Sequence, residues 1–497
     1  MLKNRYAEAL VLLLLILVGI YIRYALNPDF DIERYFWGDS VNRAKSSLIN
    51  FREGYFWDTG GFWLPLPFWL NTIPLYFKDS VYSIIIFQYI LFIASTVAYY
   101  SLIRLVFNPS TAILSTFFLM VSSINAKLTT SAMSENYYLL FMILGLFLFQ
   151  KFKDNKSKKL YFIFSAFFFV CAALTRYEAL VIYIIFIFFT SWKYKAWRLH
   201  ILPFVLYSIG SFYYEYPRFI ESGMVYYGLF SNGGESFQVN VLAGYPTALA
   251  RLKLVFTHLF NLGSSHLIWF SFVPFFSYFR RRKLPSEYSL TFLCLFSITL
   301  ISSFNGSIAI FQRYWALIYI LSIPISLQGL YFLFGRSKFK AHAKKLSLAF
   351  GLLLILLTSR HTFRAMSYTH DYSHSAVSEY IISKKLTSKS FFFDDIYRSF
   401  LFDVFYFYFY SKQHPVFCCN IPADYYRTTN DAFNSEGEKL IKELNSKRPI
   451  EFFVLYSKSS LFKYLKDKDF KFLNYRLILE KDFQSNILLY RTEIIRP

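Results

Sequence analysis

Residues 9–24 read ALVLLLLILVGIYIRY. The run resembles the core of a signal peptide, but it is too long for one and no small-residue cleavage site follows, so it is expected to stay as a first membrane helix. Further apolar runs of roughly 20 residues, enough to cross ~30 Å of hydrocarbon, recur along the chain. They start near residues 8, 80, 110, 135, 159, 179, 200, 263, 288, 315 and 346, so about eleven spans are expected before roughly His361. The seventh, around Ile201 to Tyr214, is short enough to be a re-entrant or strongly kinked element. Of the 497 residues, 55% are hydrophobic and 22% aromatic. A soluble core of this length could not hide that much apolar surface. The expected fold class is therefore an α-helical polytopic membrane protein.

The formal net charge of +22 would point to nucleic acid in a soluble protein. Here the cations sit in short loops between apolar runs, where they orient helices instead, and no nucleic-acid partner is expected. One set of loops reads KFKDNKSKK (151–159), KYKAWR (193–198), RRRK (280–283) and GRSKFKAHAKK (335–345). The alternate set reads NPDFDIERYFWGDS (27–40), AKLTTSAMSEN (126–136), LTRYE (174–178) and FNGSIAIFQRYW (304–315). That second set carries few cations but nearly all the carboxylates and arginines that look chemically purposeful, so the chemistry is expected on the non-cytoplasmic face. Two of its segments are long, 27–77 and 215–262. Within the first, Val41, Ala44, Leu48 and Phe51 recur at helical spacing, as in a helix lying on a membrane surface.

Residues 1–360 thus form the expected transmembrane domain, and 361–497 an outward-facing soluble α/β domain. In the tail SFFFDD, PVFCCN, IEFFVLYSK, YRLILEKDF and NILLYRTE read as strands, GEKLIKELNSK and SSLFKYLKDK as helices. Cys171, Cys294, Cys418 and Cys419 imply no disulfide framework, because two lie inside apolar runs and the adjacent pair is poorly placed to bond to itself. His361, His370, His374 and Asp371 read as connector rather than metal site. No glycine-rich phosphate loop is present, which argues against direct use of a nucleotide sugar or ATP.

Five short strings in the second set of loops carry candidate chemistry. WGDSVNRAKSSL (37–48) and GYFWDTGGFWLPLPFWL (54–70) place Asp39, Trp63 and the Leu64-Pro65-Leu66 turn after the first span. TTSAMSENYYLLF opens the fourth span at Glu135, LTRYE brings Arg176, Tyr177 and Glu178, and FQRYW brings Arg313 and Tyr314. Carboxylates at a partly dry interface act as bases because desolvation raises their proton affinity. A guanidinium beside an aromatic grips a phosphate bidentately. Each residue also has a plain alternative: a solvated acidic loop for Asp39, a first-turn helix carboxylate with Ser131 to Ser134 as cap for Glu135, and interfacial snorkelling for the arginines.

Over about the first 320 residues these strings resemble the GT-C superfamily of membrane glycosyltransferases, closest to the protein O-mannosyltransferase and aminoarabinose-transferase branch. The resemblance implies Asp39 as catalytic base and Glu135, Arg176, Tyr177, Glu178, Arg313, Tyr314 and Trp63 as substrate-binding residues. A divalent cation held by Asp39 and Glu135 is a candidate cofactor. The chain departs from the pattern at Ser40, where the family carries a second acid, and at Trp63, where relatives often carry histidine or lysine. The implied partners are a polyprenyl-phosphate-linked sugar, a lipid, glycan or protein acceptor, and membrane lipids. The implied setting is a bacterial plasma membrane with the site on its outer face. A lipid or sugar transporter is the alternative class. It calls for midplane ionisable groups and inverted repeats, neither of which the sequence shows clearly.

Overall fold

A computed structural model of the chain carries helices at nearly all of the expected positions. It describes residues 2–28, 37–54, 64–155, 157–222, 247–261, 286–305, 315–336, 342–366, 389–393, 417–420, 435–447, 449–457, 459–472, 475–483 and 487–495, with interrupted pieces at 268–275 and 377–386. Its contacts divide the chain into two compact units, one of residues 1–36 and 46–368, the other of 37–45 and 369–497.

The helices of the first part are α1 (Leu2–Leu26), α2 (Trp37–Glu53), α3 (Leu66–Thr72), α4 (Val81–Val106), α5 (Pro109–Val121), α6 (Ser123–Thr129) and α7 (Ser134–Asp154). They continue as α8 (Lys159–Ala173), α9 (Tyr177–Tyr194), α10 (Ile201–Ser222), α11 (Ala248–Asn261), α12 (Glu287–Asn305), α13 (Ala316–Arg336) and α14 (Ala343–Met366). Every expected span start lies near the start of a helix except that near 263, most of whose run falls outside the described residues. The seventh element is a continuous helix of 22 residues rather than a short one.

Fewer than the expected eleven crossings fall among the described residues. Among the described residues five helices are long and apolar enough to span, namely Tyr6–Leu26, Tyr82–Val106, Tyr177–Tyr194, Glu287–Asn305 and Ala316–Gly335. The pair α5 and α6, bent by 66°, forms a sixth if it is one broken span. The shortfall has local causes. α8 is apolar but only 15 residues long, and α7 ends in a turn carrying Lys151 and Lys153. The bend falls at Ser122, whose backbone is extended, and Asn125 Nδ2 donates to the Leu119 carbonyl at 3.2 Å. A side chain thus satisfies a carbonyl that the helix has released, the condition for broken helices at membrane depth.

Starts are set by local chemistry. The Ser80 side chain accepts from Tyr82 N at the head of α4. Asn108 accepts from Thr111 N at the head of α5, where Pro109 takes the first helical position. Along α1, Leu13, Leu14 and Leu17 are each more than half exposed, a surface that lipid solvates and water does not. Ala44 and Leu48 of α2 are buried and Phe51 half-buried, so the helical spacing read there marks a packed face. Arg52, at the end of α2, clasps Asp79 at 2.8 Å.

Ion pairs where α7, α9 and α12 meet fix how these helices run. Glu287, in the first turn of α12, accepts from Lys153 at 2.5 Å and Lys193 at 3.0 Å, which stand in the last turns of α7 and α9. α7 and α9 therefore run the same way and α12 the opposite way. The last turns of α7 and α9, with their lysines, thus meet the first turn of α12 at one end, and the signs match the helix dipoles.

The second unit holds a six-stranded mixed sheet, β1 (Phe391–Phe393), β2 (Phe417–Asn420), β3 (Phe452–Tyr456), β4 (Lys471–Phe472), β5 (Tyr475–Asp482) and β6 (Ile487–Ile494), in the order β2-β1-β3-β6-β5-β4. β1 pairs parallel with β2 and β3, and the other neighbours are antiparallel. Side chains alternate between two apolar layers. Phe392, Phe453 and Leu455 pack with Ile441 of α15 (Ser435–Lys447) and Leu461 of α16 (Ser460–Asp467), while Phe391, Phe452 and Val454 pack with Val377 and Ile381. These are the strands and helices expected from the tail, with β4 added.

Candidate active site

Glu135 lies in the first turn of α7, and Arg176 is the residue immediately before α9. The chain turns tightly to place Arg176, with Thr175 N and Arg176 N both bonded to the Ala172 carbonyl at 3.0 Å. Its backbone is extended and its side chain makes no cap bond. Instead the guanidinium bridges two acids. Nη1 donates to Glu135 Oε1 at 2.7 Å, while Nη2 and Nε donate to the two oxygens of Glu178 at 2.8 and 3.2 Å. Arg176 is 11% exposed, Glu135 7% and Glu178 17%. The fork toward Glu178 uses the planar geometry that only arginine offers. Ser134 Oγ donates to the second oxygen of Glu135 at 3.2 Å, and Met133, not a serine, occupies the cap position, so the capping expected from Ser131 to Ser134 is absent.

A buried amide network holds this corner. Asn136 Nδ2 donates to Gln88 Oε1 at 2.7 Å and to the Leu128 carbonyl at 2.9 Å. Gln88 Nε2 donates to Asn71 Oδ1 at 3.1 Å, and the Tyr137 hydroxyl donates to the same Asn71 oxygen at 2.5 Å. α3, α4 and the first turn of α7 are thereby tied together next to Glu135. Leu66 N also bonds to the Leu174 carbonyl at 3.3 Å, which joins the Leu64-Pro65-Leu66 turn to LTRYE. Two strings about 110 positions apart in sequence are thus physical neighbours.

The three charged groups line a narrow, partly solvent-open cleft whose other walls include Leu295 and Thr299 of α12 and Ala316 and Leu317 of α13. Among its described residues two carboxylates face one guanidinium. Tyr138 lines it from α7, with the Arg176 guanidinium 5.9 Å from its ring. Its hydroxyl is buried and has no hydrogen-bond partner among the described residues.

The structure therefore brings together Glu135, Arg176 and Glu178, and places Tyr177 at the first position of α9. Asp39 sits in the first turn of α2; its side chain lies outside the described part, as do Trp63, Arg313 and Tyr314 altogether. Also outside are His370, Asp371 and His374. Among the described residues no group of three or more histidine, cysteine or acidic side chains could hold a metal. Sequence reading missed Asn71, Gln88, Asn136 and Tyr138. Amides inside otherwise apolar runs were the available signal.

Residues 64–213 match the family described as dolichyl-phosphate-mannose-protein mannosyltransferase. The segment runs from the Leu-Pro-Leu turn through α9 and contains all three members of the ion cluster. No curated protein matches the chain significantly. Among solved structures it is similar to ArnT from Cupriavidus metallidurans in the apo state, with a TM-score of 0.61, 10% identity, and 99% of this chain and 98% of that one covered. The same protein bound to undecaprenyl phosphate gives a TM-score of 0.58 at 10% identity, covering 96% and 97%. The oligosaccharyltransferase AglB from Archaeoglobus fulgidus, in complex with an inhibitory peptide and a dolichol-phosphate, gives 0.54 at 12% identity, covering 91% and 69%. The GT-C resemblance read from the sequence is borne out: this is a membrane protein with the fold of the GT-C glycosyltransferases.

Proposed function

We propose that the chain is an inverting glycosyltransferase that moves a sugar from a polyprenyl phosphate to an acceptor hydroxyl at the extracytoplasmic end of its helix bundle. The observation that carries this reading is the buried Glu135–Arg176–Glu178 cluster, which lies within the family-matching segment and opens onto a cleft at the end of α7 and α9 away from the basic loops. ArnT bound to undecaprenyl phosphate and AglB bound to a dolichol-phosphate and a peptide support both the donor class and a separate acceptor. The acceptor is a lipid, a glycan or a protein.

In the proposed step Asp39 takes the acceptor hydroxyl proton as that oxygen attacks the anomeric carbon. The bond from that carbon to the phosphate oxygen breaks, and its electron pair leaves with the lipid phosphate. Arg313 meets the departing phosphate. Arg176, already engaged by two carboxylates, sets the positions of Glu135 and Glu178 around the polar group in the cleft, and the Tyr138 hydroxyl supplies a further hydrogen bond there. A divalent cation is the candidate cofactor. Glu135 would be a ligand to it, sharing oxygens already bonded to Arg176 and Ser134. When bound, such an ion neutralises phosphate charge.

The test is to incubate the purified chain with a panel of polyprenyl-phosphate sugars and measure release of lipid phosphate. One donor is expected to turn over, and Asp39→Asn to lower the rate by about 10² to 10⁴, the usual worth of a positioned base. No turnover with any donor, or wild-type turnover by Asp39→Asn, contradicts the proposal.

A further inference from the structure

α13 carries Pro324 in its interior. Proline has no N–H, so the Ile320 carbonyl, four residues earlier, loses the donor that the helix would otherwise supply. The Tyr99 hydroxyl, from α4, takes that place and donates to the Ile320 carbonyl at 2.8 Å. The carbonyls on either side receive side chains too. Leu321 accepts from the Tyr288 hydroxyl of α12 at 3.0 Å, and Tyr319 accepts from Ser322 Oγ at 2.6 Å. All three donors are buried. In a membrane helix no water stands ready to satisfy a released carbonyl, so neighbouring side chains must do it.

The stretch of α13 before the proline is the part that walls the transfer cleft, through Ala316, Leu317, Ile318 and Ile320. A proline weakens the ladder that joins the two halves of a helix. The cleft wall is therefore held at Ile320 by a bond from another helix in place of one from its own. We propose that Tyr99 is a positioning residue for the transfer reaction, fixing the cleft-lining start of α13 through the Ile320 carbonyl. The inference rests on the glycosyl-transfer reading of that cleft. The four lining residues of α13 are apolar and carry no reacting group, so a displaced wall weakens substrate binding and spares the chemical step.

The test is hydrogen exchange on the full chain purified in detergent, alongside steady-state transfer from the polyprenyl-phosphate sugar that the donor panel identifies. Tyr99→Phe removes a single oxygen. Exchange in residues 316–323 is expected to quicken about ten-fold, the factor that one buried carbonyl left without a donor is worth, while residues 325–336 keep their wild-type rates. KM for one of the two substrates should rise by about the same factor with kcat unchanged. In a Pro324→Ala background the new backbone N–H serves the Ile320 carbonyl, so adding Tyr99→Phe there should alter exchange and KM by less than about two-fold. Unchanged exchange in 316–323, exchange that quickens equally throughout the chain, an unchanged KM, or an equal effect of Tyr99→Phe in both backgrounds would overturn the proposal. A wild-type chain that turns over no donor refutes the transfer reading instead, and the exchange pattern still decides whether Tyr99 holds the wall.

Discussion

Arg176 is worth more as a fork than as a charge. Its three described donations run to two different acids, and a lysine, with one compact ammonium, cannot reproduce them. Arg176→Lys is therefore expected to lower stability by about 3 kcal/mol, the lower end of the cost of breaking a buried pair, and to depress transfer at least ten-fold. Unfolding in detergent alongside lipid-phosphate release measures both. Tyr138→Phe separates binding from folding, because its hydroxyl has no partner among the described residues. Stability should stay within about 0.5 kcal/mol of wild type while KM for the donor or acceptor rises, and steady-state kinetics on both substrates checks it. Glu135, Arg176 and Glu178 were legible as charged residues at the ends of apolar runs. Their pairing was not, since Glu135 and Arg176 stand 41 positions apart and short strings carry no distances. Gln88 and Asn71 were passed over because hydropathy averages them into their neighbours.

At the scale of elements, the short helical turn Trp197–His200 joins α9 to α10 and buries its histidine. His200 Nε2 lies 2.7 Å from Thr190 Oγ1, which donates its own proton to the Phe186 carbonyl, so the imidazole nitrogen is the donor to threonine. The rings of Phe162 and Phe186 stand 4.9 and 5.5 Å away. Burial pushes the imidazole from 6.5 down to about 4. The folded state thus disfavours the proton that the unfolded chain accepts, so this contribution to stability is complete above pH 6.5 and drains away as pH falls toward 4. His200→Gln should flatten the fall in unfolding temperature between pH 6.5 and 4, as thermal melts across that range will show. Element positions were well marked in the sequence, but their span status was not. α5 and α6 read as one apolar run, and only the extended backbone at Ser122 breaks them.

Across the whole molecule, the alternation of basic and acidic loops already told which helix ends belong together, because charge placement orients membrane helices. The structure makes that alternation physical, with Glu287 and its two lysines at one end and Arg176 with its two glutamates at the other. The sheet of the second unit was readable from period-two apolar runs, whereas its strand order was not, since pairing between β1 and β3 spans about 60 residues. The most direct test of the account is to photolabel the purified chain with a polyprenyl-phosphate sugar bearing a reactive group on the sugar and map the modified peptides. Labelling of residues 134–138 and 176–178, competed by unmodified donor, is the predicted result. Saturable labelling confined to other segments, with both of those peptides unmodified, would contradict it.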